Sequence, residues 1–187
     1  MPADDDQRQL ERVANGDRQA MGVLYQRHHK RVFHFARRFV SDVAAAEDLT
    51  NDVFIEVWHR ASAYEGRSKV SSWLLGVARY KALSELRRAK PVHSKSDEIL
   101  GAMEDEADDP EMVSQKRDKG AAIKRCIQRL SRDHRVILEL IYYHEKTIEE
   151  VADILDIPKN TVKTRTFHAR KQLSAEMAAQ GLDRGWP

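Results

Sequence analysis

The sequence contains a single cysteine, Cys126, which excludes an internal disulfide framework and any metal site built only from cysteines. Cys126 lies in AIKRCIQRL, whose apolar spacing predicts a buried structural thiol, with a redox role or a partner contact as the alternative. No apolar run approaches the roughly 20 residues of a membrane span, and the start MPADDDQRQL is acidic, unlike a signal peptide. These features favour a protein of the reducing cytoplasm without membrane insertion.

Glycine and proline are also scarce, at 8 and 5 of 187 residues, and sustained alternation of the strand type is absent. With 41% hydrophobic and 33% charged residues, this composition favours a helix-rich globular protein over a disordered or all-β one. The net charge of +2 is small, so any affinity for nucleic acid must come from local clusters. Acidic residues concentrate at 4–6 and 97–111, and basic residues at 87–90 and 159–171.

Patterns of enzyme chemistry are missing as well. His28 and His29 are adjacent, so they lack the helical spacing of a metal-binding pair, and one of them is expected to face the core. No pairing of a nucleophile with a base and no phosphate-binding glycine loop is present. We therefore expect neither catalysis nor a cofactor or metal.

Apolar residues recur at three- and four-residue intervals between Leu10 and Arg88, which predicts amphipathic helices. The stripes comprise Met21, Leu24, Tyr25, Val32, Phe35, Ala36 and Phe39; then Leu49, Val53, Phe54, Val57 and Trp58; then Trp73, Leu74, Val77, Ala78 and Leu83. The segments SDVAAAED and SAYEGRSKVSS are interpreted as connections between these helices.

The composition changes at Pro91, where an acidic stretch poor in aromatics begins and continues to about Lys119, with a short helix possible near Pro110. The helical pattern returns at Ala121, and the chain is expected to fray after Gly181. The predicted fold class is all-α, with two small helical domains joined by a flexible acidic linker. The first domain is predicted to span residues 10–92, the linker 93–120 and the second domain 121–180.

A helix-turn-helix is predicted in the second domain. Thr147 and Glu150 match a capping box that opens the helix IEEVADILD, and Pro158 suits the first turn of the next helix. That next helix has a narrow apolar stripe, made of Val162, Thr166, Ala169 and Leu173. A narrow stripe indicates that only one side of this helix contacts protein.

The other sides of this helix are basic and polar, without an acid between Lys159 and Leu173. Lysine and arginine neutralise phosphates, and asparagine, threonine, lysine and arginine also reach base edges in a major groove. A solvated basic face is the alternative, although surface helices normally mix both signs of charge. The predicted DNA-contacting residues of this recognition helix are Lys159, Asn160, Thr161, Lys163, Thr164, Arg165, Phe167, His168, Arg170 and Lys171.

The stretch RLSRDHRVILELIYYHEKTIEEVADILDIPKNTVKTRTFHARKQL resembles region four of bacterial sigma factors of the extracytoplasmic-function (ECF) kind. It keeps the family's residues at Arg135, Val136, Glu150, Ala152, Leu155, Thr161 to Lys163, Arg165, Ala169 and Arg170. It departs at Ser131, where the family has proline, at Asp156, where it has glycine, and at Thr166, where it has an apolar residue. Region four alone resembles many helix-turn-helix regulators, so this half leaves the function open.

The stretch AEDLTNDVFIEVWHRASAYEGRSKVSSWLLGVARYKALSELRR resembles region two of the same sigma factors, which makes the resemblance more specific. The resemblance implies a helix that docks onto the β′ clamp of RNA polymerase. This helix has apolar groups on two of its sides with acids beside them, which suits docking to a protein partner. The alternative is a simple amphipathic helix that only contributes to the core. The predicted docking residues are Asp48, Leu49, Asn51, Asp52, Phe54 and Trp58.

By the same resemblance, the loop from Tyr64 to Ser72 captures a base flipped from the nontemplate strand of the −10 promoter element. Stacking on an aromatic returns roughly 1–3 kcal/mol per base, and the following basic helix suits melting DNA. The predicted −10 residues are Tyr64, Gly66, Arg67, Ser68, Lys69, Ser71, Ser72, Arg79, Tyr80, Lys81, Arg87 and Arg88. Tyr80 and Ser84 stand where the family often has asparagine and aspartate, so the preferred −10 sequence stays open.

The resemblance covers roughly Leu10 to Met177 and implies a sigma factor that binds core RNA polymerase through the β′ clamp and β flap. It also implies promoter DNA as a partner, an anti-sigma factor and a stress-responsive role. The −35 and −10 elements lie about 70 Å apart. A linker of 28 residues spans roughly 30 Å as a random coil and about 90 Å when fully stretched, so only an extended linker covers this distance. Polymerase must therefore hold the linker extended. The alternative is a helix-turn-helix regulator with an amino-terminal dimerisation or sensing domain.

Overall fold

A computed structural model describes residues 2–40, 42–88 and 120–182 of the chain, with side chains described from Asp5 onward. All regular structure within these ranges is helical, as the sequence predicted. The α-helices are α1 (Pro2–Ala14), α2 (Arg18–Ala36), α3 (Val43–Arg60), α4 (Val70–Arg88), α5 (residues 120–128), α6 (Arg132–Leu138), α7 (Ile148–Leu155) and α8 (Lys159–Ala179). None of these helices is both long and apolar enough to cross a membrane. The predicted linker, including the helix near Pro110, lies outside the described residues apart from its last residue, Gly120.

The amino-terminal half, α1 to α4, is built around α2, which packs against the other three helices. Asp17 caps α2 by accepting hydrogen bonds from the amides of Gln19 and Ala20, and Asp42 caps α3 through the amide of Ala45. The core buries Leu24, Val32, Phe35, Val53, Val57, Leu74 and Ala78. The predicted apolar stripes therefore face one another.

Two segments interpreted as connections are wrong in extent. SDVAAAED enters α3 at Val43, because Asp42 supplies a cap and the alanines that follow are strong helix formers. SAYEGRSKVSS begins in a 3₁₀ turn at Ala61–Ala63 and ends inside α4, which starts at Val70. The connection before α4 is therefore only the loop between the 3₁₀ turn and Val70.

The acidic start of the chain forms α1, a helix that the sequence patterns did not indicate. Leu10 and Val13 are buried against the core. At the other end of α1, a carboxylate oxygen of Asp6 lies 2.8 Å from Nε2 of buried His28, while Arg27 pairs with Asp5 at 2.6 Å. These contacts bind α1 to α2, so the amino-terminal acids are structural.

The carboxyl-terminal half, α5 to α8, holds the predicted helix-turn-helix as α7 and α8. Ser131, which replaces the family's proline, caps α6 by accepting a hydrogen bond from the amide of His134. The π-helical turn Glu139–Tyr143 continues from α6, and the capping box of Thr147 and Glu150 opens α7 as predicted. Cys126 is fully buried, as its apolar spacing predicted.

The two halves pack against each other, which sequence periodicity did not predict. Helix α4 contacts α7, and buried side chains from both halves form one continuous cluster. Arg38, just after α2, pairs with Glu139 of the π-helical turn. The polar and apolar contacts between α4 and α7 involve residues predicted to read promoter DNA.

Candidate nucleic-acid interface

The turn before the recognition helix is tight. Asp156 ends α7 in the left-handed conformation, with φ of 48°, where the family has glycine. This conformation is costly for most residues with a Cβ atom but is tolerated by aspartate, whose short polar side chain bonds locally. Pro158 then lies just before α8 as its cap residue rather than inside its first turn. This geometry explains both the family's glycine and its replacement here.

Helix α8 is buried only along the predicted narrow stripe. Val162 and Ala169 are fully buried, and Thr166 and Leu173 are partly covered. The predicted DNA-contacting side chains that are exposed are Lys159, Asn160, Lys163, Thr164, Phe167, His168, Arg170 and Lys171. Thr161 and Arg165 are partly buried at the border of the stripe. A helix embedded on one side and open on the others is free to enter a major groove.

Acids of neighbouring elements contact two cations of this basic helix. Arg165 pairs with Asp133 of α6 at 3.0 Å, and Lys159 lies 3.4 Å from Glu149 at the start of α7. A hydrogen bond from its own backbone amide, followed by the contact with Lys159, lowers the pKa of Glu149. These pairs orient Lys159 and Arg165. The other cations of α8, Lys163, Arg170 and Lys171, are exposed to solvent.

A groove of about 950 Å³ lies beside the recognition helix, between α5, the α6 region and α8. Its apolar lining comes from Ile123, Ile127, Leu138, Tyr142, Tyr143, Ile148, Phe167, Leu173 and Met177. Tyr142, Tyr143 and Phe167 are all more than half exposed. Such an apolar concavity on a small helical unit is typical of a protein-docking site.

The predicted polymerase-docking residues occupy α3 but do not form one surface. Asp48, Asn51 and Asp52 are exposed, and Trp58 is half-buried. Leu49 and Phe54 lie in the core, where they position the helix rather than contact a partner in this conformation. The exposed apolar groups of α3 are instead Val43 and Ile55, each 55% exposed. Neither residue belongs to the apolar stripe that the sequence predicted for this helix.

In the loop before α4, Tyr64 is held against the protein rather than presented freely. Its ring packs edge-on against Trp73 with a centroid separation of 5.4 Å, and its hydroxyl donates to the carbonyl of Ser68. Burial raises the pKa of the Tyr64 hydroxyl. Gly66 has φ of 70°, so this loop uses the conformational freedom of glycine. Arg67, Lys69 and Gly66 are exposed at the loop surface.

On α4 the predicted −10 residues differ in their availability. Tyr80 is 58% exposed, and Arg87 and Arg88 are exposed near the helix end. Lys81 pairs with Glu56 of α3 at 2.8 Å. Arg79 is partly buried, and this burial lowers the pKa of its guanidinium from the ordinary value.

The serines at the start of α4 contact the other half of the protein. The hydroxyl of Ser72 donates to Oε1 of Glu150 at 2.9 Å, and Nζ of Lys146 donates to the hydroxyl of Ser71 at 2.7 Å. Ser72 is only 2% exposed. The structure therefore brings the two predicted DNA-reading units together at these serines.

Comparison with protein families matches both halves in order. Residues 24–92 match sigma-70 region 2, and residues 120–173 match sigma-70 region 4. RNA polymerase sigma-H factor of Pseudomonas aeruginosa is 27% identical, with coverage of 90% of this chain and 91% of the relative. The ECF RNA polymerase sigma factor SigW of Bacillus subtilis is 25% identical, with coverage of 91% and 95%, respectively.

Solved structures share the fold. The structure of CnrH in complex with the cytosolic domain of CnrY has a TM-score of 0.67 and 21% identity, covering 93% of this chain and 97% of that one. The sigma factor RpoE of Bartonella quintana, in complex with the anti-sigma factor NepR, has a TM-score of 0.64 and 22% identity, covering 84% and 96%. With both region models matched in order and relatives aligned over most of their length, the chain belongs to the sigma-70 family, as a sigma factor of the ECF group.

Proposed function

We propose that this protein directs core RNA polymerase to specific promoters and promotes the opening of DNA there. The observation that carries the proposal is the pairing of two modules in one chain. Region 2 and region 4 follow each other in the order that this activity requires. The one-sided burial of α8 and its basic exposed faces support a role in duplex recognition.

Within this function we assign residues 10–92 to clamp docking and to the −10 element, and residues 121–180 to the −35 element. We assign residues 93–120 as the linker between these two parts of the chain. The recognition-helix residues from Lys159 to Lys171 are assigned to the −35 duplex. Their exposure and the absence of acids from this segment support that assignment.

We assign the −10 element to the loop and basic helix between Tyr64 and Arg88. Tyr80 is the best-exposed aromatic of this set and is available for stacking on an unpaired base. Arg67, Arg87 and Arg88 are exposed and available for phosphates. Ser71 and Ser72 reach DNA only after their bonds to Lys146 and Glu150 are broken.

For core polymerase we assign two surfaces. The β′ clamp contacts the exposed face of α3 around Asp48, Asn51 and Asp52, and we add Ile55 to this set because of its exposure. The β flap contacts the apolar groove between α5, the α6 region and α8, where the exposed rings of Tyr142 and Tyr143 suit a protein partner.

We infer that an anti-sigma factor in the cytoplasm controls this protein and that a stress signal releases it. The fold shared with an RpoE structure that contains the anti-sigma factor NepR supports the proposal. Such a factor would compete with polymerase for α3. Simultaneous binding of both partners to the face around Asp48 and Asp52 would contradict this assignment.

Run-off transcription with core polymerase on a genomic promoter library tests the function. We expect new transcripts that share paired upstream elements only when the protein is present. Tight binding to inverted-repeat duplexes by a symmetric dimer, without polymerase-dependent transcripts, would instead establish a helix-turn-helix regulator.

Matched variants separate the two assignments. Asn160→Ala on the recognition helix, away from the groove, should reduce transcription roughly tenfold while leaving association with core polymerase unchanged, because one base contact contributes about 1–3 kcal/mol. The double variant Asp48→Arg, Asp52→Arg should weaken association with core. Lys30→Ala, an exposed change on α2, is the control and should affect neither measurement.

A further inference from the structure

Helix α1 lies beside the loop assigned to the −10 element. It contacts the 3₁₀ turn Ala61–Ala63, which leads directly into Tyr64, and it also contacts α3 and α4. The match to sigma-70 region 2 begins at residue 24, so α1, which ends at Ala14, lies outside the matched residues. The −10 loop therefore has a neighbour to which the region 2 match gives no role.

The position of α1 beside this loop is fixed along the length of the helix. Near its start, Asp6 is only 9% exposed and contacts Nε2 of His28 on α2 at 2.8 Å. Near its end, Arg12 pairs at 2.7 Å with Asp17, which caps α2. Leu10, between these two contacts, is buried in the core. A side chain on the exposed face of α1 therefore has a defined place relative to the loop.

Gln7 is the residue of α1 that reaches the tip of the loop. A Cβ atom added to Gly66 would lie 4.0 Å from Nε2 of Gln7, so the side-chain amide stands next to the loop backbone. The φ of Gly66 is 70°, which residues with a Cβ atom rarely adopt, so the backbone here stays uncovered. Both residues are exposed. A nucleotide at the loop tip is therefore within reach of the Gln7 amide.

The amide of Gln7 keeps hydrogen-bonding capacity for a ligand. Its Nε2 donates to Glu11 at 3.3 Å, an exposed contact one helical turn away that uses only one of its two N–H groups. In the described part of the chain, Oε1 of Gln7 accepts no hydrogen bond from the protein. The charges at the loop tip cancel, because Arg67 pairs with Glu65 at 2.5 Å. A neutral amide in this setting suits a base edge better than a phosphate.

Adenine is the base whose edge matches a glutamine amide. Its N7 accepts from the amide N–H while its N6 amino group donates to the amide oxygen, which gives two parallel hydrogen bonds. Guanine presents oxygen O6 in place of the N6 amino group, so the amide oxygen would face a second acceptor. These atoms stay accessible when the base is unpaired. The amide therefore favours adenine over guanine.

We propose that α1 completes the −10 surface and that Gln7 recognises an unpaired adenine next to the base held by the loop from Tyr64 to Ser72. The proposal rests on the proposed function, because an unpaired promoter strand reaches this loop only during initiation. It adds to that function a base-contacting residue outside the region 2 match. The preferred base at one promoter position then depends on α1.

Binding of a fluorescent single-stranded oligonucleotide tests this assignment. The probe carries the nontemplate −10 region of a promoter found by run-off transcription, and the protein is used in complex with core polymerase. Exchange of each base in turn should reveal one position, next to the flipped base, where adenine is preferred roughly tenfold. 7-Deazaadenine at that position lacks the N7 acceptor and should weaken binding several-fold.

Three variants identify the residue responsible for that preference. Gln7→Ala should bind adenine, guanine and 7-deazaadenine equally at that position. Gln26→Ala, at an exposed glutamine of α2, is the matched control and should behave as the unchanged protein. Gln7→Arg should change the preferred base from adenine to guanine, because a guanidinium donates to both O6 and N7 of guanine. A purely structural role of Gln7 would not produce such an exchange.

An adenine preference that survives in Gln7→Ala, or the absence of an adenine preference next to the flipped base, would overturn the proposal. In either case polymerase-dependent transcripts would leave the proposed function intact. The lack of any such transcript would refute the sigma activity and the role of Gln7 together. Far-UV circular dichroism verifies that each variant keeps its helices.

Discussion

His28 shows at the residue scale why adjacent histidines need not signal chemistry. Its ring is buried, and the contact with Asp6 holds α1 against α2. His29, its neighbour, lies 3.2 Å from Glu47 and packs against Tyr25. Consecutive residues on a helix point about 100° apart, so the two rings serve different contacts.

The buried environment of His28 predicts a loss of stability in mild acid. Burial lowers the pKa of His28 below 6.5 by more than the carboxylate of Asp6 raises it. The unfolded chain therefore takes up a proton at higher pH than the folded chain. The contribution to stability is complete above about pH 6.5 and declines as pH falls through the pKa of the folded state.

Denaturant unfolding between pH 7.5 and pH 5 measures this effect. His28→Gln, which keeps a donor toward Asp6, should reduce the dependence of the unfolding free energy on pH. His59→Gln, at an exposed position of α3, is the matched control and should leave that dependence as it is. Equal slopes in His28→Gln and the unchanged protein would contradict the assignment.

At the scale of the element, α7 shows how one side chain serves two purposes. Glu150 accepts a hydrogen bond from the amide of Thr147 through Oε2, which completes the capping box. Its other oxygen, Oε1, accepts from Ser72 of α4. The sequence motif predicted the first contact. The second depends on a helix 78 positions away in the chain.

This double role predicts unequal costs for the two halves of the capping box. Thr147→Ala should lower the unfolding free energy by about 1 kcal/mol, the usual cost of losing a cap. Glu150→Ala should cost more, roughly 2–3 kcal/mol, because Ser72 and the buried Lys146 also lose their partner. Glu149→Ala, at an exposed neighbouring acid, should stay within about 0.5 kcal/mol. Equal losses from Thr147→Ala and Glu150→Ala in urea unfolding would show that the Ser72 contact contributes nothing.

At the scale of the whole molecule, the two halves share one continuous apolar cluster. Phe35 and Leu74 of the amino-terminal half belong to it together with Ile137 and Val151 of the other half. Proteins with a single core usually unfold in one cooperative transition. Two independent modules on a tether would instead unfold separately.

Thermal or urea unfolding monitored by two signals tests this cooperativity. In a Trp186→Phe background the remaining tryptophans, Trp58 and Trp73, both belong to the amino-terminal half. Their fluorescence should change together with the far-UV circular dichroism of the whole chain. Lys146→Glu removes the bond from Lys146 to Ser71 of the other half, so in this variant the fluorescence and circular dichroism curves should separate. Separate transitions in the chain without that change would mean that the shared core does not couple the halves.

The sequence by itself determined the all-helical class, the capping box, the buried Cys126 and the narrow stripe of α8. Each of these features depends on residues three or four positions apart, which a periodic pattern records directly. The resemblance to two sigma-factor regions, which the family comparison confirmed, also lay in the order of residues along the chain.

Only the tertiary structure decided which side chains are available. It placed Leu49 and Phe54 in the core and left Ile55 exposed, folded the acidic start onto His28, and joined Ser72 to Glu150. These outcomes depend on how helices distant in sequence pack together, because that packing selects which side of each amphipathic helix is covered. A pattern within one helix contains no information about its neighbours, so the contact between α4 and α7 appeared only in three dimensions.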